Sequence, residues 1–179
     1  VDEISKEFQG LKEKLGLYED LTFIRTTDKH HKSSAQVFWK ICDDNGYIYK
    51  KKYKGLYCVG CELFKTDKEL VNGECPDHTG KKPEEIEEEN YFFKFSAFQD
   101  DLLALYEANK DFVKPEFRLN EINEFVKNGL QDFSISRVKE RMPWGVPVPG
   151  DEDQVMYVWF DALTNYISTL GWPEDTETF

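Results

Sequence analysis

The chain reads as α/β with an inserted α+β metal knuckle, and three observations predict that class. Helical periodicity opens the chain and returns near its end. A stretch of aromatic and β-branched residues lies between, and it leads straight into the third feature. That feature is Cys58-x2-Cys61, thirteen residues, then Cys75-x2-His78.

Ile4, Phe8, Leu11 and Leu15 follow the i, i+4, i+7, i+11 series of one helical face, and Gly16 stands where a C-terminal cap belongs. A first helix therefore spans 1–15. Starting at Val1 inside such a helix, the chain reads as a piece of something longer. Thr26, Thr27 and Asp28 offer side-chain oxygens to cap a second helix, whose face runs Ser34, Phe38, Ile41 and Asn45 before Gly46. Cys42 falls beside Phe38 and Ile41 and reads as a buried small hydrophobe.

Residues 47–57 alternate aromatic or β-branched positions with lysine, a strand pattern. Residues 63–71 read as a strand and turn, and Asn72-Gly73 supplies a tight reversal, so one hairpin is expected to join the two metal corners. The acidic run 84–89 reads as a solvated surface segment without function. A short aromatic strand at 91–95, a helix at 97–109 and a further helix with Pro115 as its first residue, ending at Gly129, form a return limb.

Residues 134–149 carry three prolines and a Trp144-Gly145 step, which predicts an extended recognition or crossover loop. Val155, Tyr157 and Trp159 then alternate as a strand, and Leu163, Tyr166, Ile167 and Leu170 mark a helical stripe. The junction from Trp159 to Tyr166 reads either as a pocket wall at the carboxyl end of a strand or as a core-facing aromatic stripe.

Cys58, Cys61, Cys75 and His78 place three thiolates and an imidazole at the spacing of a tetrahedral zinc site. No fifth ligand falls in the spacing, so the expected zinc is structural, with no open position for chemistry. A redox pair or inert cysteines are the alternatives, and neither explains a second corner that ends in His.

With 40% hydrophobic and 15% aromatic residues, 179 residues suffice for a buried core. The net charge of −12 argues against a broad phosphate-gripping face, and no DNA partner is expected. One local candidate is Lys50, Lys51, Lys52 and Lys54 interleaved with Tyr49, Tyr53 and Tyr57, which reads either as a backbone-binding and base-stacking strip or as a strand edge guarded by lysines. No apolar run suits a membrane span and no leader pattern opens the chain. Few cysteines, clustered at metal spacing, suit the cytoplasm.

Several segments in order resemble bacterial-type methionyl-tRNA synthetases, over residues from about 20 to 173. They are Phe23-Ile24-Arg25-Thr26-Thr27-Asp28, Gly46-Tyr47-Ile48-Tyr49, Gly55-Leu56-Tyr57-Cys58, Cys61-Glu62 and Glu89-Asn90-Tyr91-Phe92-Phe93. Ile135-Ser136-Arg137, Trp144-Gly145-Val146-Pro147-Val148-Pro149 and Tyr157-Val158-Trp159-Phe160-Asp161-Ala162-Leu163 complete the set. The knuckle followed by the Trp-Phe-Asp-Ala-Leu run singles out methionine among the class I synthetases.

The resemblance implies a partial class I nucleotide-binding fold. Residues 1–49 would end its first half, 50–133 would be the connective insertion with the zinc knuckle, and 134–179 would begin its second half. It implies that Trp159, Ala162, Leu163 and Tyr166 line a methionine pocket. It also implies that the intact enzyme uses ATP and Mg2+, and meets methionine and the acceptor end of tRNA(Met). The family's ATP signatures His-Ile-Gly-His and Lys-Met-Ser-Lys-Ser do not occur in these 179 residues, so the chain alone is expected to be inactive. The competing expectation is a free-standing zinc module that binds a tRNA end or a partner.

Overall fold

A computed structural model describes residues 1–61, 63–157 and 159–177, so the motif residues Glu62 and Val158 lie outside it. Helix α1 (Asp2–Lys14) forms where the periodicity places it, but buries none of its residues. Its exposed Ile4 and Phe8 face Phe23, Ile24 and Trp144 across an open apolar groove. Helix α2 (Lys29–Asp44) begins after Asp28, whose carboxylate accepts the Arg25 N–H at 2.9 Å and so closes the preceding turn instead of capping the helix.

The buried face of α2 is His31, Ser34, Ala35, Trp39 and Cys42. This corrects the expected face, because Ile41 and Asn45 are exposed. Trp39 sets the rotation: its ring meets Tyr91 and Phe160 edge-on, at centroid distances of 5.4 and 5.3 Å. Cys42 is buried as expected, and burial pushes its thiol up to about 11, which leaves it unreactive.

Strand β1 (Ile48–Cys58) pairs antiparallel with β2 (Leu63–Lys65) on one side and β3 (Glu84–Phe93) on the other, and β4 (Phe133–Ser134) extends the sheet beyond β3. The acidic run, expected as a solvated surface segment, is the first half of β3 and is solvated on one face only. Its alternation buries Ile86, Glu88, Asn90 and Phe92, and turns Glu85, Glu87 and Glu89 outward. A run of like charge forms a strand here because the facing strand carries the lysines: Lys52 lies opposite Glu89 and Lys54 opposite Glu87.

Helices α3 (Gln99–Ala108) and α4 (Glu116–Lys127) pack around Tyr106, Leu119, Val126 and Leu130, a small core of their own. Pro115 is the N-cap of α4, one position earlier than expected, and Gly129 leaves the helix at φ +97°. The expected loop 134–149 contains strands. β5 (Ser136–Val138), β6 (Pro147–Val148) and β7 (Asp151–Met156) form a second antiparallel sheet in the order β5-β7-β6, made possible by the reversal at Gly150, φ +79°.

The expected strand through Trp159 stops at Met156, and the short helices α5 (Trp159–Ala162) and α6 (Asn165–Ser168) follow. Strand alternation would have left Phe160 outside. The turn instead drives its ring into the main core, against Phe38, Trp39 and Phe93. That core joins α2 and β1 to Ile135, Val146, Val148 and Met156, so segments from both ends of the chain share one interior. Among the described residues no helix is long and apolar enough to cross a membrane.

Candidate metal centre and substrate wall

Each metal corner is built by its own hairpin, where one hairpin joining both was expected. The β1–β2 pairing sets Cys58 opposite Leu63, so the first corner is the turn between those strands. The chain then spends part of the interval on a turn capped reciprocally by Thr66 and Glu69. Asn72 and Gly73, at φ 54° and 78°, form the mirror-image turn that the Asn-Gly pair predicts. Val71 and Glu74 exchange backbone hydrogen bonds of 3.0 and 3.1 Å across it, and the chain enters the second corner directly. There the His78 N–H donates to the Cys75 carbonyl at 3.0 Å, which turns the imidazole back toward the sulfurs.

The four donor atoms lie within 4.8 Å of one another, and among the described residues no other His, Cys or carboxylate joins them. His78 Nδ1 is 3.2, 3.8 and 3.9 Å from the sulfurs of Cys61, Cys58 and Cys75, and the Cys61 and Cys75 sulfurs are 3.4 Å apart. Metal–sulfur bonds of about 2.3 Å and metal–nitrogen bonds of about 2.0 Å make a tetrahedron with edges of roughly 3.5 to 3.8 Å, so the cluster fits such an ion.

The backbone N–H of Cys61 chiefly holds Cys58 below the usual thiol range, while loss of water and the neighbouring sulfurs push Cys61 up to about 12. A divalent ion would hold all three as thiolates.

Two supporting residues were not evident from the ligand spacing. Gly60 lies under the His78 ring, and a Cβ there would stand 2.4 Å from its nearest carbon, so only glycine lets the imidazole close over the first corner. Lys65, with its side chain 12% exposed, reaches Asp77 at 3.4 Å, and that carboxylate is 3.7 Å from the Cys61 sulfur. Three thiolates around a divalent ion leave net negative charge, which Lys65 is placed to offset.

The predicted substrate residues occupy consecutive turns of one segment. Trp159 and Ala162 bracket α5, Leu163 donates its N–H to the Trp159 carbonyl at 3.0 Å, and Tyr166 lies in α6. Trp159, Leu163 and Tyr166 are 64, 54 and 76% exposed, whereas Phe160 between them is buried in the core. Trp159 also lines a cleft of about 340 Å3 with Tyr53, Phe64, Phe92, Phe133 and Tyr157, none of them from the other three predicted residues. Arg137 stands in that cleft with its guanidinium 3.8 Å from the Tyr157 ring centroid and 5.1 Å from that of Phe64, so it links the sheet of β1–β4 to the sheet of β5–β7.

The lysine–tyrosine strip is largely engaged within the fold. Lys50 pairs with Asp151 and Glu89, Lys54 pairs with Glu85, and the rings of Tyr53 and Tyr57 pack on Phe64 at 4.6 and 5.1 Å. Lys51 lies over the Phe92 ring.

A family model described as tRNA synthetases class I (M) matches residues 1–82 and 77–178. The chain belongs to that family, the methionyl-tRNA synthetases. It is 49% identical to the methionine–tRNA ligase of Streptomyces coelicolor over 98% of its own length and 34% of that protein's. With the methionine–tRNA ligase of Thermosynechococcus vestitus it is 46% identical over 99% of its length and 33% of that protein's. The Mycobacterium tuberculosis methionyl-tRNA synthetase, solved in complex with methionyl-adenylate, superposes at a TM-score of 0.82 with 44% identity, covering 96% of this chain and 34% of that one. This synthetase segment therefore spans about a third of the length of the relatives it matches.

Proposed function

We propose that the chain is the central piece of a methionine–tRNA ligase. That enzyme activates methionine with ATP and Mg2+ in the cytoplasm and transfers it to the acceptor end of tRNA(Met). The observation that carries this reading is the identity of 44 to 49% across nearly the whole chain to such enzymes, one of them holding methionyl-adenylate. That adenylate is the mixed anhydride formed when the methionine carboxylate attacks the α-phosphate of ATP and displaces pyrophosphate.

Residues 1–49 and 134–179 belong to the two halves of the catalytic domain in this reading, and 50–133 to the insertion. Trp159, Ala162, Leu163 and Tyr166 form part of the methionine wall. The exposure of Trp159, Leu163 and Tyr166 along one segment supports this, as does the chemistry: aromatic and aliphatic surfaces suit a polarisable thioether, and the small Ala162 leaves room for a linear chain. Such a wall selects by shape. It discriminates against a side chain one methylene shorter by only about 1 to 3 kcal/mol.

The Cys58, Cys61, Cys75 and His78 centre would hold zinc as a scaffold, with no part in bond making. It braces the outer end of the β1–β2–β3 sheet, which the insertion presents toward incoming tRNA. Lys51 and Lys52 have no carboxylate within ion-pair distance among the described residues, so they are the members of the strip left to meet phosphate. The test is ATP–pyrophosphate exchange. It is expected from the complete enzyme and not from residues 1–179 alone, and exchange by the isolated chain overturns the assignment.

A further inference from the structure

We propose that His31 is a positioning residue for the substrate helix, acting through Asp161 to set where Trp159 and Ala162 stand. The inference rests on the assignment of those two residues to the methionine wall. His31 is 3% exposed, yet among the described residues neither ring nitrogen has a hydrogen-bond partner. Buried polar groups are nearly always paired, so a buried imidazole open at both nitrogens calls for an explanation.

The carboxylate facing it is Asp161 on α5, with Oδ2 3.8 Å from Nε2, just outside hydrogen-bond reach. The residues beside His31 on the same helix face are already engaged. His30 Nε2 lies 2.8 Å from the Ser168 carbonyl oxygen, and the Ser34 hydroxyl is shared between the His30 and Trp172 carbonyls at 2.9 and 3.1 Å. The first turn of α2 thus grips the 159–172 limb on both sides of His31 and leaves the central contact open.

Asp161 transmits the position. It precedes Ala162 and lies two residues after Trp159 in α5, so a displacement of its backbone toward α2 carries both with it. Helix α5 is only four residues long and pivots on Phe160, whose ring is fixed in the main core, while Trp159 is largely exposed; a shift of under about 1 Å is all the bond needs to close. Methionine between Trp159 and Ala162 and a closed His31–Asp161 bond favour the same position of α5, and each therefore strengthens the other.

The test uses the complete synthetase and ATP–pyrophosphate exchange. His31→Leu is expected to raise the KM for methionine on the order of tenfold, with the KM for ATP within about twofold, the size of one charge-assisted hydrogen bond. His31→Gln, whose amide can still donate to Asp161, recovers most of that loss. The double variant His31→Leu, Asp161→Asn is no worse than the more damaging single change.

Equal rises in both KM values, Gln no better than Leu, or additive losses overturn the proposal. Should His31→Leu fail to fold, Asp161→Asn decides alone, and an unchanged methionine KM overturns it. Trp159→Ala in parallel separates the two levels. If that variant keeps its methionine KM, the wall assignment itself falls; if it loses affinity while His31→Leu does not, only the role of His31 falls.

Discussion

Lys50 and Asp151 stand 101 residues apart in the chain and meet at 2.9 Å, where the same carboxylate also accepts the Tyr91 hydroxyl at 3.0 Å. One side chain of β7 thereby fastens β1 and β3 to the second sheet, beside Gln154 of the same strand, whose amide donates to the Glu89 carbonyl at 2.8 Å.

That carboxylate makes stability depend on pH. Burial alone would raise the pKa of Asp151, but the Lys50 ammonium and the Tyr91 hydroxyl outweigh it and hold the group below the usual carboxylate range. A depressed folded value contributes stability above the unfolded value, about 3.9, and that contribution is lost as pH falls through the folded value. Denaturant unfolding of the complete enzyme between pH 7 and 3, if it reports this region, is expected to show the loss. Asp151→Asn should flatten the profile and cost about 1 to 2 kcal/mol at pH 7.

The metal centre predicts one zinc per chain in protein purified without chelator. Cys75→Ser should release it and loosen residues from about 55 to 80, read as lost amide-exchange protection in that segment alone. Gly60→Ala should weaken zinc retention against a competing chelator while leaving all four ligands in place, because the added methyl displaces the His78 ring. Unaltered retention would show that the ring has another way to close.

The mirror-image turn at Asn72-Gly73 predicts a local cost for Gly73→Val. A β-branched residue at φ 78° is strained by about 1 to 3 kcal/mol, and the loss should appear at the second corner as easier zinc release.

In the complete enzyme, Trp159→Ala should raise the KM for methionine strongly while sparing that for ATP. An unchanged methionine KM removes Trp159 from the wall.

Reversing Lys51 and Lys52 to Glu should weaken tRNA binding at low salt and flatten its salt dependence by about one to two phosphate contacts. Unaltered affinity at low salt would leave the strip with only its role as the partner of β3.

Much of this protein is legible in one dimension because the signals are local. The Cys-x2-Cys and Cys-x2-His corners, the Asn72-Gly73 reversal and the periods of α1 and α2 each depend on residues within a few positions of one another, where backbone geometry alone restricts the outcome. The tertiary structure decided whatever depends on partners distant in sequence. Glu84–Glu89 looks like a solvated run until the lysines of β1 lie opposite, since only a facing charge makes an acidic strand favourable.

The α2 face was turned toward Trp39 because two rings from β3 and α5 wait there, and Phe160 ended the expected strand by entering that same core. Gly60 gained its importance from a ring eighteen residues away, and His31 from a carboxylate on the far limb. Ligand identity and turn chemistry are properties of short sequence; strand partners, helix rotation and the surroundings of a buried imidazole are set by what the rest of the chain brings against them.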